Sequence, residues 1–285
     1  MISKKYNVQE LIGKGKFGTV YLGENNHTKE KVAIKIEDKC SEMSVLKNET
    51  RVLEYLSRNG IRTQIPQVFW FGIYNDIHYA LIMTYFVGKS LEDYIYQDPD
   101  TSLQKINDWF ISTIHILEKI HMYGVIHRDI KPAHFIFVKK WVLIDFGFAT
   151  FFNNTDTTIN AKKSEYIIGT PNYISLNIHN GIKYKPIDDI WSIVYIYIRI
   201  LLPELFLFTI ETPLENKYPS NHILNTQNQI RKERKESFNN LVFWEKISFF
   251  EGKDKIIQLV QLLSSSSSQT NVNVPYTNIR NVFVV

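Results

Sequence analysis

The chain is almost without cysteine. Cys40 is the single one in 285 residues, so no intrachain disulfide can form. A fold that does without disulfides suits a reducing compartment, and the cytoplasm is the expected location. The chain also lacks a strong charge bias. Its formal net charge of +4 is too mild an excess to mark a nucleic-acid binder. Met1 to Tyr6 hold no apolar stretch of signal-peptide type. An uninterrupted apolar run of about 20 residues, the length of a membrane helix, is missing too. The nearest candidate, Ile190 to Ile210, opens on Asp188 and Asp189 and is broken by Arg199, Pro203 and Glu204. It reads as a helix buried in a soluble core, with no membrane partner.

What is present is apolar material for a core. Apolar residues make up 44% of the chain, enough for one large domain or one domain of two apposed lobes. The first part reads as strands: Val8 to Gly13, Thr19 to Gly23 and Lys31 to Glu37, the last two separated by the polar turn Glu24-Asn25-Asn26-His27. From Ser44 to Leu56 the spacing turns helical, with Val45, Val52, Leu53 and Leu56 near one face. Val68 to Tyr74 and His78 to Tyr85 read as two further strands around an Asn75-Asp76 turn. After Gly88 helical stretches dominate, Leu91 to Tyr96 and Leu103 to His121 first. The fold class expected is α+β: a small β-rich part to about residue 85, a hinge over 85–88, and a larger helical part from 89 to 285, together one domain. The serine run Ser264 to Ser268 reads as a solvated loop.

Four short segments carry chemistry. Gly13-Lys14-Gly15-Lys16-Phe17-Gly18-Thr19-Val20 is a glycine-rich turn between two strand patterns. Glycines let backbone N–H groups approach phosphates unobstructed. An ordinary hairpin turn has the same look, whereas a dinucleotide site wants a helix next, and Val20-Tyr21-Leu22 reads as a strand. In Val32-Ala33-Ile34-Lys35 the lysine is either a strand-end charge or a cation reaching nucleotide phosphates, and Glu49 on the following helix would hold it. In His127-Arg128-Asp129-Ile130-Lys131-Pro132, Asp129 would accept or orient the proton of a substrate hydroxyl, and Lys131 would offset charge on a transferring phosphoryl group. Sixteen residues after Asp129 comes Asp145-Phe146-Gly147, behind the apolar run Trp141 to Ile144. An aspartate at the end of a buried strand is costly unless it binds a cation or is fully hydrogen-bonded, and magnesium on nucleotide phosphates is such a cation.

These segments, in this order, resemble the eukaryotic-type protein kinases. Gly169-Thr170-Pro171-Asn172-Tyr173-Ile174-Ser175-Leu176-Asn177 is similar to the casein kinase I family, whose members carry a Ser-Ile-Asn-like triplet where most kinases have Ala-Pro-Glu. Gly88 to Asp93 and the stretch from Ile120-His121 to Asp129 resemble that family too, and the vaccinia-type kinases of poxviruses and their relatives are close neighbours. The resemblance runs from about Tyr6 to Phe208 and thins after Glu211. It implies a bilobal kinase fold, ATP and Mg2+ as cofactors, and proteins phosphorylated on serine or threonine as partners, by a monomer. It further implies that Ile12, Val20, Ala33, Ile136 and Ile144 sandwich the adenine, and that Thr84 is the gatekeeper. The backbones of Tyr85 and Val87 would bond the adenine edge, and Asp189 would brace the catalytic loop from the start of a buried helix over Trp191 to Leu202.

The chain departs from the pattern at two places. Five residues after Asp129, where an asparagine is expected to hold a second magnesium, stands His134. Imidazole suits transition metals better than magnesium. Catalysis would then run on one metal through Asp145, run slowly, or give way to a nucleotide-binding scaffold; the retained Lys35, Glu49, Asp129, Lys131 and Asp145 favour an active enzyme. Asn172 takes the place of an arginine that binds substrate phosphate, which leaves acidic substrates to Lys162, Lys163 or the cluster Arg231 to Lys235. That cluster reads as a solvated helix face. The Asn- and Thr-rich stretch from Asp145 to Gly169 reads as a flexible loop; phosphorylation of Thr155, Thr157 or Thr158, with Arg128 as a partner for the phosphate, is the alternative. Pro275-Tyr276 to Phe283 is expected to form a last helix.

Overall fold

A computed structural model describes residues 2, 5–15, 18–41, 44–97, 102–152, 168–206, 221–267 and 274–283. The chain forms two compact units: Met1–Ser90 with His134–Thr150, and Leu91–Ala133 with Phe151–Val285.

The first unit is built on five strands, β1 (Tyr6–Gly15), β2 (Gly18–Asn25), β3 (Lys31–Asp38), β4 (Val68–Tyr74) and β5 (His78–Thr84). They form one antiparallel sheet in the order β1-β2-β3-β5-β4. β1 is longer than the Val8–Gly13 pattern because it continues to pair with β2 through irregular register on either side of Leu11. The β4–β5 turn falls where expected, and Asn75 and Asp76 both take positive φ, 50° and 57°, as a tight hairpin needs. Side chains alternate along β3. Val32 and Ile34 point into a core with Ile2, Tyr6, Ala80 and Ile82. Its odd-numbered residues take the other face, which helix α1 (Val45–Arg58) packs against through β3, β4 and β5. α1 buries Leu46, Val52, Leu53 and Leu56 along one stripe. A second, three-stranded sheet joins Lys89–Ser90, Phe135–Phe137 and Trp141–Leu143.

The second unit is helical: α2 (Leu91–Gln97), α3 (Leu103–Met122), α4 (Leu176–His179), α5 (Pro186–Leu201), α6 (Asn221–Phe238), α7 (Leu241–Lys246), α8 (Lys253–Ser267) and α9 (Tyr276–Asn281). Ser102 caps α3 by accepting from the Lys105 N–H, a contribution of about 1 kcal/mol. α5 carries the apolar segment that begins after Asp189, and every residue from Ile187 to Ile198 is buried. α3 and α8 pack on it, and α9 packs on α3 and α8. Aromatic rings fill the joints: Phe110, Tyr197 and Phe283 on one side, Tyr195, Phe238 and Trp244 on the other. No helix of the described residues is long and apolar enough to cross a membrane.

The serine run departs from the loop expected of it. Ser264 to Ser267 continue α8, and Ser268 lies outside the described residues. The physical reason is the stripe Ile256, Leu259, Val260 and Leu263, buried on one face; the serines ride out on the last turn, where Ser265 Oγ donates to the Leu262 carbonyl.

Candidate active site

Each unit assembles one cluster of the expected residues. In the first, Lys35 lies on the odd-numbered face of β3, under α1. Its Nζ donates to both carboxylate oxygens of Glu49 at 2.8 Å and to Asp145 Oδ1 at 2.9 Å. Burial alone would lower the Lys35 pKa, but the carboxylates of Asp145 and Glu49 raise it well above its ordinary value. Burial likewise pushes Asp145 up, and there Lys35 and His134 win, holding it well below the usual carboxylate range. Glu49, with an exposure of 0%, goes the other way: burial and the neighbouring Asp145 raise it against the pull of Lys35.

The backbone holds this cluster in place. The Phe146 N–H donates to Glu49 Oε1, and Asn48 Nδ2 donates to the carbonyls of Gly147 and Ala149 at 3.0 and 2.8 Å. Glu37, two residues after Lys35 on the same face, accepts the Leu46 N–H at 2.6 Å. Ser44 makes no side-chain cap, so Glu37 supplies the acceptor and the negative charge that the start of α1 needs. Asp145 itself has φ of 65°, a costly conformation for a residue with a Cβ.

The glycine-rich segment is the β1–β2 hairpin, with Gly13 opposite Val20, Lys14 opposite Thr19 and Gly15 opposite Gly18. Lys16 and Phe17 lie outside the described residues. Gly18 has φ of 148°, and a Cβ there would stand 2.3 Å from the Ile36 carbonyl oxygen, so no other residue fits. Val20 pairs with Lys35 across β2 and β3, and Ala33 precedes Lys35 by two positions. Thr84 ends β5, where its Oγ1 accepts the Gln67 N–H. Ile12 and Val87 are exposed, while Ile136 and Ile144 are half-buried.

His134 is buried and places Nε2 3.2 Å from Asp145 Oδ2. It therefore flanks Asp145 opposite Lys35. Among the described residues no three His, Cys, Asp or Glu side chains group as a metal cage. The donor set fits one hard cation resting on the Asp145 carboxylate, with its other ligands from phosphate and water. It does not fit a second magnesium on the His134 nitrogen.

In the second unit Asp129 is buried after the short strand Val125–Ile126. Its Oδ1 accepts the Thr170 hydroxyl at 2.6 Å, and Lys131 Nζ lies 3.2 Å from its Oδ2. The loop before it is braced by Asp189 at the start of α5. Asp189 Oδ2 accepts the His127 N–H at 2.8 Å and Oδ1 accepts the Arg128 N–H at 2.9 Å. These bonds support Arg128 at φ of 69°. His121 Nε2 stands 2.9 Å from Asp189 Oδ2, and its Nδ1 lies 2.5 Å from the Tyr276 hydroxyl on α9. Burial would raise the Asp189 pKa, but His121 and His127 hold it below the ordinary value.

The Ser175-Leu176-Asn177 triplet anchors the next carboxylate. Ser175 Oγ and Asn177 Nδ2 both donate to Asp188 Oδ1, at 2.6 and 3.1 Å, and the Lys185 N–H donates to Oδ2. Gly169, φ 100°, passes so close that a Cβ would stand 2.5 Å from the Arg128 carbonyl oxygen.

The basic cluster on α6 is only partly the solvated face expected: Glu233 and Arg234 are exposed, but Lys235 and Arg231 turn towards the protein. Lys235 has an exposure of 0%, and its Nζ reaches the carbonyls of Pro171 and Ile174; Arg231 Nε donates to Asn172 Oδ1 at 2.7 Å. The turn at 170–174 needs donors from α6, and the sequence pattern of alternating charges conceals that one of them faces inward. Lys162, Lys163, Thr155, Thr157 and Thr158 lie outside the described residues. Thr170, His121, Tyr276 and Asp188 carried no assigned chemical role in the sequence. For Thr170 the signal was its place inside the Gly169 to Asn177 segment already singled out; for Tyr276 there was none.

The family model for the protein kinase domain matches residues 6–271. The match continues past Phe208, where the recognisable motifs thin out, through the end of α8.

Proposed function

The chain belongs to the protein kinase domain family, and from that premise we propose that it is a casein kinase I-like serine/threonine kinase, active on proteins. The observation that carries this reading is the Lys35 ammonium held between Glu49 and Asp145 at 2.8–2.9 Å, preorganised for phosphate. In it the hydroxyl oxygen of a serine or threonine bonds to the γ-phosphorus of ATP, the bond from that phosphorus to the ADP oxygen breaks, and the hydroxyl proton passes towards Asp129. Lys35 and the glycine hairpin hold the phosphates. Asp129 orients the hydroxyl while Thr170 fixes its other face, and Lys131 offsets the charge of the group in transit. Asp145 would hold magnesium, which supplies charge neutralisation at the phosphate oxygens. Ile12, Val20, Ala33, Thr84, Tyr85, Val87, Ile136 and Ile144 would form the adenine surface. The preference for serine and threonine rests on Lys131 and on the resemblance of Gly169 to Asn177.

Incubation with labelled ATP, magnesium and casein tests it. Incorporation should fall by about 10³-fold in Asp129→Asn. Equal incorporation by wild type and variant would remove catalysis from the reading.

One observation favours a second reading, a catalytically weak nucleotide-binding scaffold: His134 occupies the side of Asp145 Oδ2 where an oxygen ligand is expected. A large gain of activity in His134→Asn would mean that the natural residue impairs the enzyme. An unchanged rate would show that one cation on Asp145 suffices.

A further inference from the structure

Lys235 is a buried amine that phosphoryl transfer as described leaves unused. A lysine is almost never fully buried unless it is paired. Here three groups surround Nζ: the Pro171 carbonyl at 2.8 Å, the Ile174 carbonyl at 2.7 Å and His179 Nε2 at 3.0 Å. The Tyr195 ring lies 5.2 Å away and closes the pocket. Burial, with Lys235 beside it, pushes the His179 pKa down to about 3, so its ring is neutral and can accept a hydrogen bond from Nζ. Burial and Arg231 also lower the pKa of Lys235; the ammonium has one N–H for each of the three groups, whereas a neutral amine has two and keeps the third contact only if the His179 ring donates to it.

Lys235 does not act alone on this turn. One turn of α6 earlier, Arg231 takes the Asn172 side chain, so α6 grips positions 171, 172 and 174 together. Inside the turn the N–H groups of Tyr173 and Ile174 both donate to the Thr170 carbonyl, at 2.8 and 3.1 Å. Thr170 in turn donates its hydroxyl to Asp129. An unbroken series of hydrogen bonds and one short turn thus runs from α6 to the carboxylate assigned to the substrate hydroxyl.

We propose that Lys235 is a positioning residue: from inside the helical unit it sets the 170–174 turn, and through Thr170 the orientation of Asp129 towards the polypeptide substrate. The proposal rests on the kinase reading for its effect on turnover, but not for its effect on the turn. A displacement of about 1 Å at reacting groups costs about 10²-fold in rate. In Lys235→Met, which keeps the apolar stem and deletes the amine, kcat/KM for casein should fall by about that factor while KM for ATP stays the same. Amide hydrogen exchange at Tyr173 and Ile174 should quicken, a readout independent of turnover. Wild-type kinetics with wild-type exchange would overturn the proposal. So would a parallel loss of casein and ATP binding, which would mark Lys235 as a support of the whole fold. Should Lys235→Met not fold, Arg231→Ala carries the test, because on this turn it releases only Asn172, the other bond lost being to Asn228 within α6 itself: faster exchange at Tyr173 supports the proposal and unchanged exchange refutes it. If the wild-type chain transfers no phosphate, the kinase reading fails, and the exchange measurements still decide whether Lys235 sets the turn.

Discussion

The two units bury their charges in different ways. In the first, ion meets ion: Lys35 lies between Glu49 and Asp145, and His134 closes on Asp145 from the other side. In the second, Asp129 meets Lys131, but the other buried charges lean on dipoles. Asp189 is held by backbone N–H groups and His121, Asp188 by a hydroxyl, an amide and an N–H, and Lys235 by two carbonyls and a ring nitrogen. The difference matters because an ion cluster can share its charge with an arriving anion by small side-chain movements. A carboxylate that terminates backbone N–H groups cannot move without undoing the loop it holds. The first arrangement suits groups that handle a charged ligand, and the second suits groups that must stay still around it.

The largest expected effect breaks the still half. Asp189→Leu would strand two buried N–H groups and leave Arg128 unsupported in its left-handed conformation, at a cost of about 3–5 kcal/mol in denaturant unfolding. A loss under about 1 kcal/mol would mean the dipole-held charges are not structural. Next comes Lys35→Met, where the imbalance should reverse: labelled phosphate incorporation falls about 10²–10³-fold. Stability falls by only about 1–2 kcal/mol, since a crowded carboxyl can take up a proton once the ammonium is gone. Unfolding and activity measured on one preparation separate the two.

The smallest effect sharpens the comparison between neighbours. Burial raises the Asp188 carboxyl to about 6, against the bonds from Ser175, Lys185 and Asn177. A carboxyl raised from 3.8 favours the folded state below that value, and the contribution is lost as pH rises through about 6. Asp189 is depressed, so its contribution is present above 3.8 and lost as pH falls through its lowered value. Melting temperatures taken between pH 3.8 and 6 should therefore decline more gently in Asp188→Asn than in wild type. An identical pH profile in the variant would show that Asp188 stays ionised throughout.

Much of the first unit was legible in the sequence because its chemistry is local to strands and turns with marked patterns. Lys35 ends an apolar run, Glu49 sits on the next amphipathic helix, and Asp145 follows a short buried strand; the kinase motif set named Glu49 as the partner of Lys35 and gave Asp145 to a cation on the same phosphates. The helical unit was legible only in outline. Lys235 belongs to a charge run that looks like any solvated face, and what buries it is a turn 61–64 positions away. Ser175 and Asn177 were recognisable as a family triplet, but their partner Asp188 was indistinguishable from a helix-start acid until α5 brought it beneath them. The serine run misled because composition speaks of solvation, whereas the buried face of α8 decided the backbone. Long-range pairing of polar groups leaves no period in a sequence, and the second unit depends on it.

The contact between Tyr276 and His121 joins groups 155 positions apart. A chain leaves the ribosome from its N-terminus, and its parts begin to fold in that order. His127, Arg128 and Asp189 are all made long before α9, yet the histidine steadying their carboxylate meets its tyrosine only when the last described helix has emerged. A nascent chain stalled between Asp189 and Val274 would carry every group assigned to phosphate transfer and still lack the tyrosine behind the brace, so the brace is completed only after the groups it steadies have been made.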